Sequence, residues 1–408
     1  MLKRLLFVDD DSMVLAGLRR SLHAMRGDWQ MHFVNSGAAA LEALEKENFD
    51  AVISDMRMPV MDGAELLDRV KQRYPDVVRM ILSGQSSREA LYRSISPAHQ
   101  FLSKPCNPNE LMARLGQAFA MRDVLSNQSL KTVISGMRSI PSLPTLYDEL
   151  TESLRSESPS LGNIAKIISK DVGMAAKILQ LANSAFMGTS GRVSSLVQAL
   201  SLIGTETVRT LVLSVHVFSQ FDGKSHLADS LTAIWEHSVA VSSMAQRIAA
   251  SENSPKALAE ECFTAGLLHD VGKVVLLAEM PKEYREIYES QSPGRHNREQ
   301  VCLGCTHAEM GAYLMSIWGL PLSLVQAVAF HHRPSHPGEA HFSSLTAVHA
   351  ANAIVGGSDS QPGNHATELD QNYLLSLGLH EHVPTWRNLN APPPSPQTAQ
   401  DPPSSLKQ

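Results

Sequence analysis

Five polar groups early in the chain each close a short apolar run. Asp9 and Asp10 follow Leu5-Leu6-Phe7-Val8, and Asp55 follows Ala51-Val52-Ile53-Ser54. Ser83 follows Met80-Ile81-Leu82, and Lys104 follows Phe101-Leu102-Ser103. Three carboxylates can hold a hard cation, an aspartate can be a nucleophile, and a hydroxyl and an ammonium can bind a phosphoryl group. The competing reading is that the acids only cap helices, which Asp11 and Ser12 could do alone.

A second set of reactive residues lies in the other half. His237 sits in Trp235-Glu236-His237-Ser238-Val239, and His269-Asp270-Val271-Gly272-Lys273 ends an apolar run. His307, the pair His331-His332, and His349 three residues before Asn352 follow. Histidine and aspartate on antiparallel helices can build a metal site in a bundle core, and such donors suit Fe, Mn or Zn better than Mg.

The elements that carry these residues can be read from periodicity. Short apolar runs followed by Gly, Pro, Asp or Ser read as buried parallel strands, with amphipathic stretches between them in a βαβ alternation. An open parallel sheet binds ligands at the carboxyl ends of its strands, so the first five groups should meet on one edge. Asn107-Pro108-Asn109-Glu110 marks a helix start, with Leu111, Leu115, Ala118 and Phe119 at helical spacing. That helix is expected to run on towards Gly136 as a connector over 124–138, either carrying a signal or acting as a spacer. From Ile140 onward strand-like alternation stops, and helical segments follow one another. After Pro384 the tail turns to Asn, Pro, Ser and Gln and is expected to be disordered over 384–408.

A chain of 408 residues favours two or three domains. A net charge of −6 gives no general nucleic-acid surface, so no DNA-binding output is expected. No apolar stretch is long enough to cross a bilayer, and Lys3-Arg4 runs straight into a strand, unlike a signal peptide. With Cys106, Cys262, Cys302 and Cys305 as its only cysteines, the chain suits the reducing cytoplasm. Cys302-Leu303-Gly304-Cys305 has no second CxxC, so small residues at a helix contact explain it better than a metal site.

Val8-Asp9-Asp10, Asp55-Met56-Arg57-Met58-Pro59-Val60-Met61-Asp62-Gly63, Ser83-Gly84 and Lys104-Pro105 together resemble the receiver domain of bacterial response regulators, over residues 1–123. The resemblance implies a doubly wound α/β fold with a five-stranded parallel sheet of order 2-1-3-4-5. It implies Asp55 as phosphoacceptor, and Mg²⁺ held by Asp9, Asp10, Asp55 and the Arg57 backbone carbonyl. Ser83 would bond the phosphoryl oxygen, Lys104 would pair with its charge, and Phe101 would be the switch aromatic that turns inward. The implied partner is a sensor histidine kinase, and a homodimer through the receiver is admitted.

Residues 139–340, with helices over 341–383 completing the domain, resemble the HD superfamily and within it the HDOD branch. The resemblance rests on Ile140-Pro141-Ser142-Leu143-Pro144, Leu181-Ala182-Asn183-Ser184-Ala185, Ala265 to Lys273, and Trp318-Gly319-Leu320-Pro321. It implies an all-α HD-like domain. The HD metal positions fall on His237, His269, Asp270 and Asn352, the last an amide where active phosphohydrolases have aspartate. His307, His331 and His332 match positions for further metals, but the Gly-Tyr-Pro signature of the cyclic-di-GMP phosphodiesterase branch is missing. Three readings stay open: packing residues without metal, metal without catalysis, and hydrolysis of a nucleotide. Lys273 is read as a helix-end charge and Asn183 as a loop-fixing residue. The output is expected to be a non-catalytic interaction module acting on another protein, such as a cyclic-dinucleotide enzyme or kinase; the alternative is a metal-dependent phosphohydrolase.

Overall fold

The computed structural model describes residues 2–84, 97–105, 107–125, 127–137, 140–142, 144–156, 159–183, 193–213, 219–220, 225–289, 295–335, 341–356 and 368–389. The first unit contains β1 (Lys3–Val8), α1 (Ser12–Ser21), β2 (Trp29–Val34), α2 (Gly37–Lys46), β3 (Ala51–Asp55), α3 (Gly63–Arg73), β4 (Val78–Ser83), β5 (Gln100–Ser103) and α4 (Pro108–Val124). The strands form one parallel sheet of order β2-β1-β3-β4-β5, as the receiver resemblance implies. Alternate residues enter opposite cores: Leu5 and Phe7 pack on the α1 and α4 side, Leu6 and Val8 on the α2 and α3 side. Both faces are covered, which is why these strands read as continuous apolar runs.

Local signals fix the helix starts. Asp11 caps α1 by accepting from Met13 N at 2.7 Å, and Asp62 caps α3 by accepting from Glu65 N at 2.9 Å. Asn107 caps α4 with Pro108 at the first helical position, and Leu111, Leu115, Ala118 and Phe119 are all buried as expected. The continuous connector is not found. The α4 helix ends at Val124, Leu125 turns extended (φ −75°, ψ 115°) into the core, and α5 (Gln128–Gly136) starts anew. Asn127 governs the restart: its side chain accepts from Leu130 N and donates to Leu303 O at 3.1 Å.

The second unit is helical apart from β6 (Pro141–Ser142) paired with β7 (Ser219–Gln220). Its helices are α6 (Pro144–Arg155), α7 (Leu161–Ile168), α8 (Val172–Ala182), α9 (Leu196–Ile203), α10 (Thr205–Leu213), α11 (Ser225–Ser251), α12 (Lys256–Leu268), α13 (Val271–Glu279), α14 (Pro281–Tyr284), α15 (Arg295–Leu303), α16 (His307–Ile317), α17 (Leu322–Phe330), α18 (Ser344–Gly356), α19 (Gln371–Ser376) and α20 (Val383–Leu389). Leu143, Ser184 and Ala185 of the sequence patterns lie outside the described residues. The expected start of the tail at residue 384 is corrected. Trp386 is fully buried and donates to Glu252 Oε1 at 2.8 Å, which anchors α20 on α11; residues 390–408 lie outside the described set.

The two units share one buried seam. Their apolar cores are continuous from Leu111 and Leu115 of α4 through Leu130 of α5 to Tyr313 and Ile317 of α16. Gln100 Nε2 donates to Ser316 O at 3.0 Å, Gln117 Nε2 to Leu320 O at 3.0 Å, and Gln180 Nε2 to His99 O at 3.3 Å. Gly319 has φ +73°, and a Cβ there would come within 2.9 Å of Arg114 and Gln100, so the Trp318-Gly319-Leu320-Pro321 turn sits against the sheet unit because it lacks a side chain. Beneath it, Arg79 of β4 is 1% exposed and, among the described residues, has no acidic side chain in salt-bridge contact. Its N–H groups go to the carbonyls of Pro97, Pro75, Val77 and, at 2.7 Å, Ser135. Ser135 Oγ in turn meets Tyr313 OH.

Candidate functional site

The strand ends bring the first five groups to one edge. Asp9 is 2% and Asp55 7% exposed, whereas Asp10 is exposed. Lys104 Nζ donates to Asp9 Oδ2 at 2.6 Å and also pairs with Asp55 Oδ1. Asp9 Oδ1 accepts from Asp11 N at 3.0 Å, and Asp55 Oδ2 accepts from Arg57 N at 2.7 Å. Burial raises the Asp55 carboxyl above the usual range, against the lowering by Lys104. Gly63 lets the loop fold back, since a Cβ there would lie 2.1 Å from the Asp55 carbonyl oxygen. Ser83, at the end of β4, is buried and donates to Gly84 O at 3.1 Å.

An all-oxygen set of carboxylates and a carbonyl suits Mg²⁺ chemically. Here the Lys104 ammonium joins Asp9 to Asp55. Phe101 is 6% exposed and packs with the core on the α2 and α3 side.

The histidine set also assembles, at a junction of helix ends. His237 comes from the middle of α11, His269 and Asp270 from the α12–α13 junction, His307 from the start of α16, His331 and His332 from the end of α17, and Asn352 from α18. His332 is half-buried; the others are at most 8% exposed. Among the described residues, two groups each bring one ligand atom per residue within 4.8 Å of one another: His237, His269 and Asp270, and Asp270, His307, His331 and His332. Asn352 Oδ1 lies 3.0 Å from His237 Nε2.

Ring orientation is set from behind. His269 Nδ1 donates to Gly266 O at 2.7 Å and His331 Nδ1 to Val328 O at 2.8 Å. Among the described residues, that leaves the buried Nε2 atoms of both rings without a hydrogen-bond partner. Imidazoles that donate one nitrogen to a carbonyl and offer the other are arranged as metal ligands. The donor set of imidazoles, one carboxylate and an amide oxygen suits Fe, Mn or Zn.

Asp270 stands at the N-cap of α13 but makes no capping bond; its Oδ2 accepts from Lys273 Nζ at 2.6 Å. Lys273 therefore serves the cluster rather than a helix end. Burial opposes the Asp270 charge, but His269 and Lys273 hold its carboxyl well below the usual range. Burial keeps His331 neutral and pushes His237 down to about 4. His307 goes the other way, to about 9, because Glu299 and Asp270 outweigh its burial.

Several residues escaped the sequence reading. Glu299, 2% exposed on α15, accepts from His307 Nδ1 and from His307 N. Thr306 and Glu309 form a capping box that starts α16, a signal legible in Thr306-His307-Ala308-Glu309. Gly272 packs so closely on α16 that a Cβ would lie 1.9 Å from the His307 carbonyl oxygen. His349 is fully used, donating to His331 O and accepting from Asp370 N, and so is a packing residue. Asn183 pins its loop through Val193 N and O, as expected. Cys305 is buried, with its thiol pushed up to about 12, whereas Cys302 is exposed, so the pair does not share a packed contact.

The family model described as a response regulator receiver domain matches residues 5–116, and that described as an HDOD domain matches residues 140–334. An uncharacterized protein of Treponema pallidum is 26% identical over 219 residues, spanning 53% of this chain and 42% of that protein. The hydrogenase transcriptional regulatory protein HoxA of Bradyrhizobium diazoefficiens is 31% identical over 169 residues, spanning 38% of this chain and 34% of HoxA. The chain thus spans less than half the length of these two curated relatives. Among solved structures, the MmoQ response regulator of Methylococcus capsulatus is 23% identical over 61% of this chain and 98% of its own, with a TM-score of 0.45. The signal receiver domain of an HD domain-containing protein from Pseudomonas fluorescens is 30% identical over 30% of this chain and 98% of its own, with a TM-score of 0.29.

Proposed function

This chain belongs to the response regulators that join a receiver domain to an HDOD domain, and from that premise we propose that a sensor histidine kinase phosphorylates Asp55 and that the HDOD domain relays the result without catalysis. The observation that carries the first half is the Lys104 ammonium shared by Asp9 and Asp55 at the sheet edge. Attack by a carboxylate on a phosphoryl donor brings negative charges together, and Lys104 offsets part of that repulsion. Asp9, Asp10, Asp55 and the Arg57 carbonyl would hold Mg²⁺, which supplies the remaining charge neutralisation. Ser83 would take a phosphoryl oxygen. Phe101 would be the switch aromatic, and the seam beneath β4 and β5 would carry the change outward.

The output reading rests on the depth of the histidine cluster. A metal held by His237, His269, Asp270 and the second histidine group would be enclosed by side chains at most 8% exposed, apart from His332. Asn352 adds an oxygen without charge. These features favour a metal that organises helix ends over one that activates water for a substrate. The second reading, a nucleotide phosphohydrolase, draws on Asp270 belonging to both ligand groups, as in sites that clamp a phosphate between two metals.

The partner is then another protein, of the cyclic-dinucleotide enzyme or kinase class, in the cytoplasm, where Cys262, Cys302 and Cys305 stay reduced. Among the described residues no helix is long and apolar enough to cross a membrane. A homodimer through α4 and β5 would have to displace α16 from them.

The test uses the full chain. Asp55→Asn should abolish labelling by a small phosphodonor in Mg²⁺ with the fold intact; persistent labelling removes Asp55 as nucleophile. Metal content of wild type and His269→Ala, with a nucleotide hydrolysis screen, separates the output readings. Bound metal without turnover supports the relay, and turnover lost in His269→Ala supports the hydrolase.

A further inference from the structure

The buried carboxylate of Glu299 belongs to no element of the matched motifs, lying eight positions before His307 on a different helix. It meets His307 twice: Oε1 accepts from Nδ1 at 2.8 Å, and Oε2 accepts from the backbone N–H at 2.9 Å. The second bond ties the first residue of α16 to α15; the first turns the ring so that Nε2 faces Asp270 Oδ1 at 3.1 Å and His332 Nε2 at 3.2 Å. Tyr288 OH is a longer neighbour of the same Nδ1, at 3.4 Å.

Charge gives Glu299 a second part. Asp270 is the one carboxylate among the candidate ligands, and Lys273 lies 2.6 Å from it. At the fourth HD position Asn352 presents an amide oxygen 3.0 Å from His237 Nε2, and so no charge. Glu299, 2% exposed, is the remaining buried carboxylate in contact with the cluster among the described residues. A histidine ligand backed by a carboxylate is fixed in one tautomer and becomes a better donor.

We propose that Glu299 is a positioning residue of a divalent transition-metal centre in the HDOD domain, aiming His307 Nε2 at the ion and supplying behind the ring the negative charge that Asn352 withholds. This rests on the reading that the cluster holds metal. It assigns the ion to the His307 side of Asp270 as well as to the HD side.

The full chain, stripped of metal, is titrated with Zn²⁺ against a chelator and with Co²⁺ by visible absorption. Wild type should bind, and Glu299→Gln, which keeps an acceptor for Nδ1 but loses the charge, should bind about 10- to 100-fold more weakly. Adding Asn352→Asp to Glu299→Gln should restore most of the affinity, which a merely structural role of Glu299 would not produce. Equal Zn²⁺ affinity and an unchanged Co²⁺ spectrum in Glu299→Gln overturn the proposal while leaving the metal reading intact. No uptake by folded wild type overturns both. If Glu299→Gln fails to fold, Glu299→Asp serves: it keeps the charge but shortens the reach to Nδ1, and an unchanged Co²⁺ spectrum there also overturns the positioning role.

Discussion

The hydroxyls of Ser135 and Tyr313 lie 2.8 Å apart with both side chains buried, so α5 and α16 share a hydrogen bond closed to solvent. The Ser135 carbonyl receives Arg79 from the receiver sheet, and α16 begins with His307. One polar chain therefore leads from a receiver strand to the helix that enters the histidine cluster.

Tyr313→Phe should lower stability by about 1 kcal/mol, the usual net value of one such bond plus an orphaned serine hydroxyl. Arg79→Met should cost more, about 2–4 kcal/mol, because several buried carbonyls lose their donor together. Denaturant melts measure both. Amide exchange in 128–136 should rise in each variant; unchanged exchange there would mean that the seam does not depend on this chain of bonds.

Gly272→Ala should separate α13 from α16. A methyl placed 1.9 Å from the His307 carbonyl cannot be absorbed by a rotamer change, and overpacking of this kind costs about 1–3 kcal/mol or more. Metal uptake should fall with stability, since His307 moves away from Asp270. A variant with wild-type melting and wild-type Zn²⁺ content would contradict the packing described for this junction.

Lys177 sets a pH dependence. Burial lowers its ammonium to about 7, although Nζ donates to Gln180 Oε1 and lies 5.6 Å from the Trp318 ring centre. Unfolded, a lysine titrates near about 10.4. Between these values the unfolded chain holds one more proton, so this group makes stability rise with pH from about 7 and level off above the unfolded value. His307 acts oppositely in metal-free protein: raised to about 9, it contributes stability that is full below its unfolded value and is lost as pH rises through 9. Lys177→Met should therefore be more stable than wild type at pH 7, with the gap closing towards pH 10. A gap independent of pH would remove the buried ammonium as its cause.

Val60 has φ +69° and is fully exposed in the loop between Asp55 and α3. A β-branched residue in that region is strained by about 1–3 kcal/mol. Val60→Gly should raise the melting temperature, and the gain should be visible without Mg²⁺. A lower melting temperature would show that the loop holds no such strain.

Chain ends give a further prediction. A chain stopped after Leu389 keeps Trp386 and its bond to Glu252, whereas one stopped after Val383 loses both and should melt lower. Removal of a buried tryptophan of this kind costs about 3–5 kcal/mol. Equal melting of the two truncations would deny α20 a place in the fold.

The receiver strands were legible because strands covered on both faces carry unbroken apolar runs that end in the polar groups of the site. The histidine set was legible by residue type; the fold adds that Asp270 lies in both groups of potential ligands, one with His237 and His269, the other with His307, His331 and His332. Glu299 was not, because nothing in a single sequence ties a carboxylate on one helix to a ring on the next. The break after Val124 was hidden as well: Leu125-Ser126-Asn127 contains neither Gly nor Pro, and the turn comes from Leu125 entering the core while Asn127 caps. Arg79 carries no signal of its role in the sequence, because the Pro97, Val77 and Ser135 carbonyls that accept from it converge only in the fold.

The three residues between α4 and α5 have one more effect. So short a link holds the HDOD face against β5 and α4 at an effective concentration in the millimolar range or above, as for short tethers in general. A second receiver present at about a micromolar would have to bind that face about a thousandfold more tightly to compete equally. The length of the link thus ranks the tethered HDOD face above a free second receiver as the neighbour of β5 and α4.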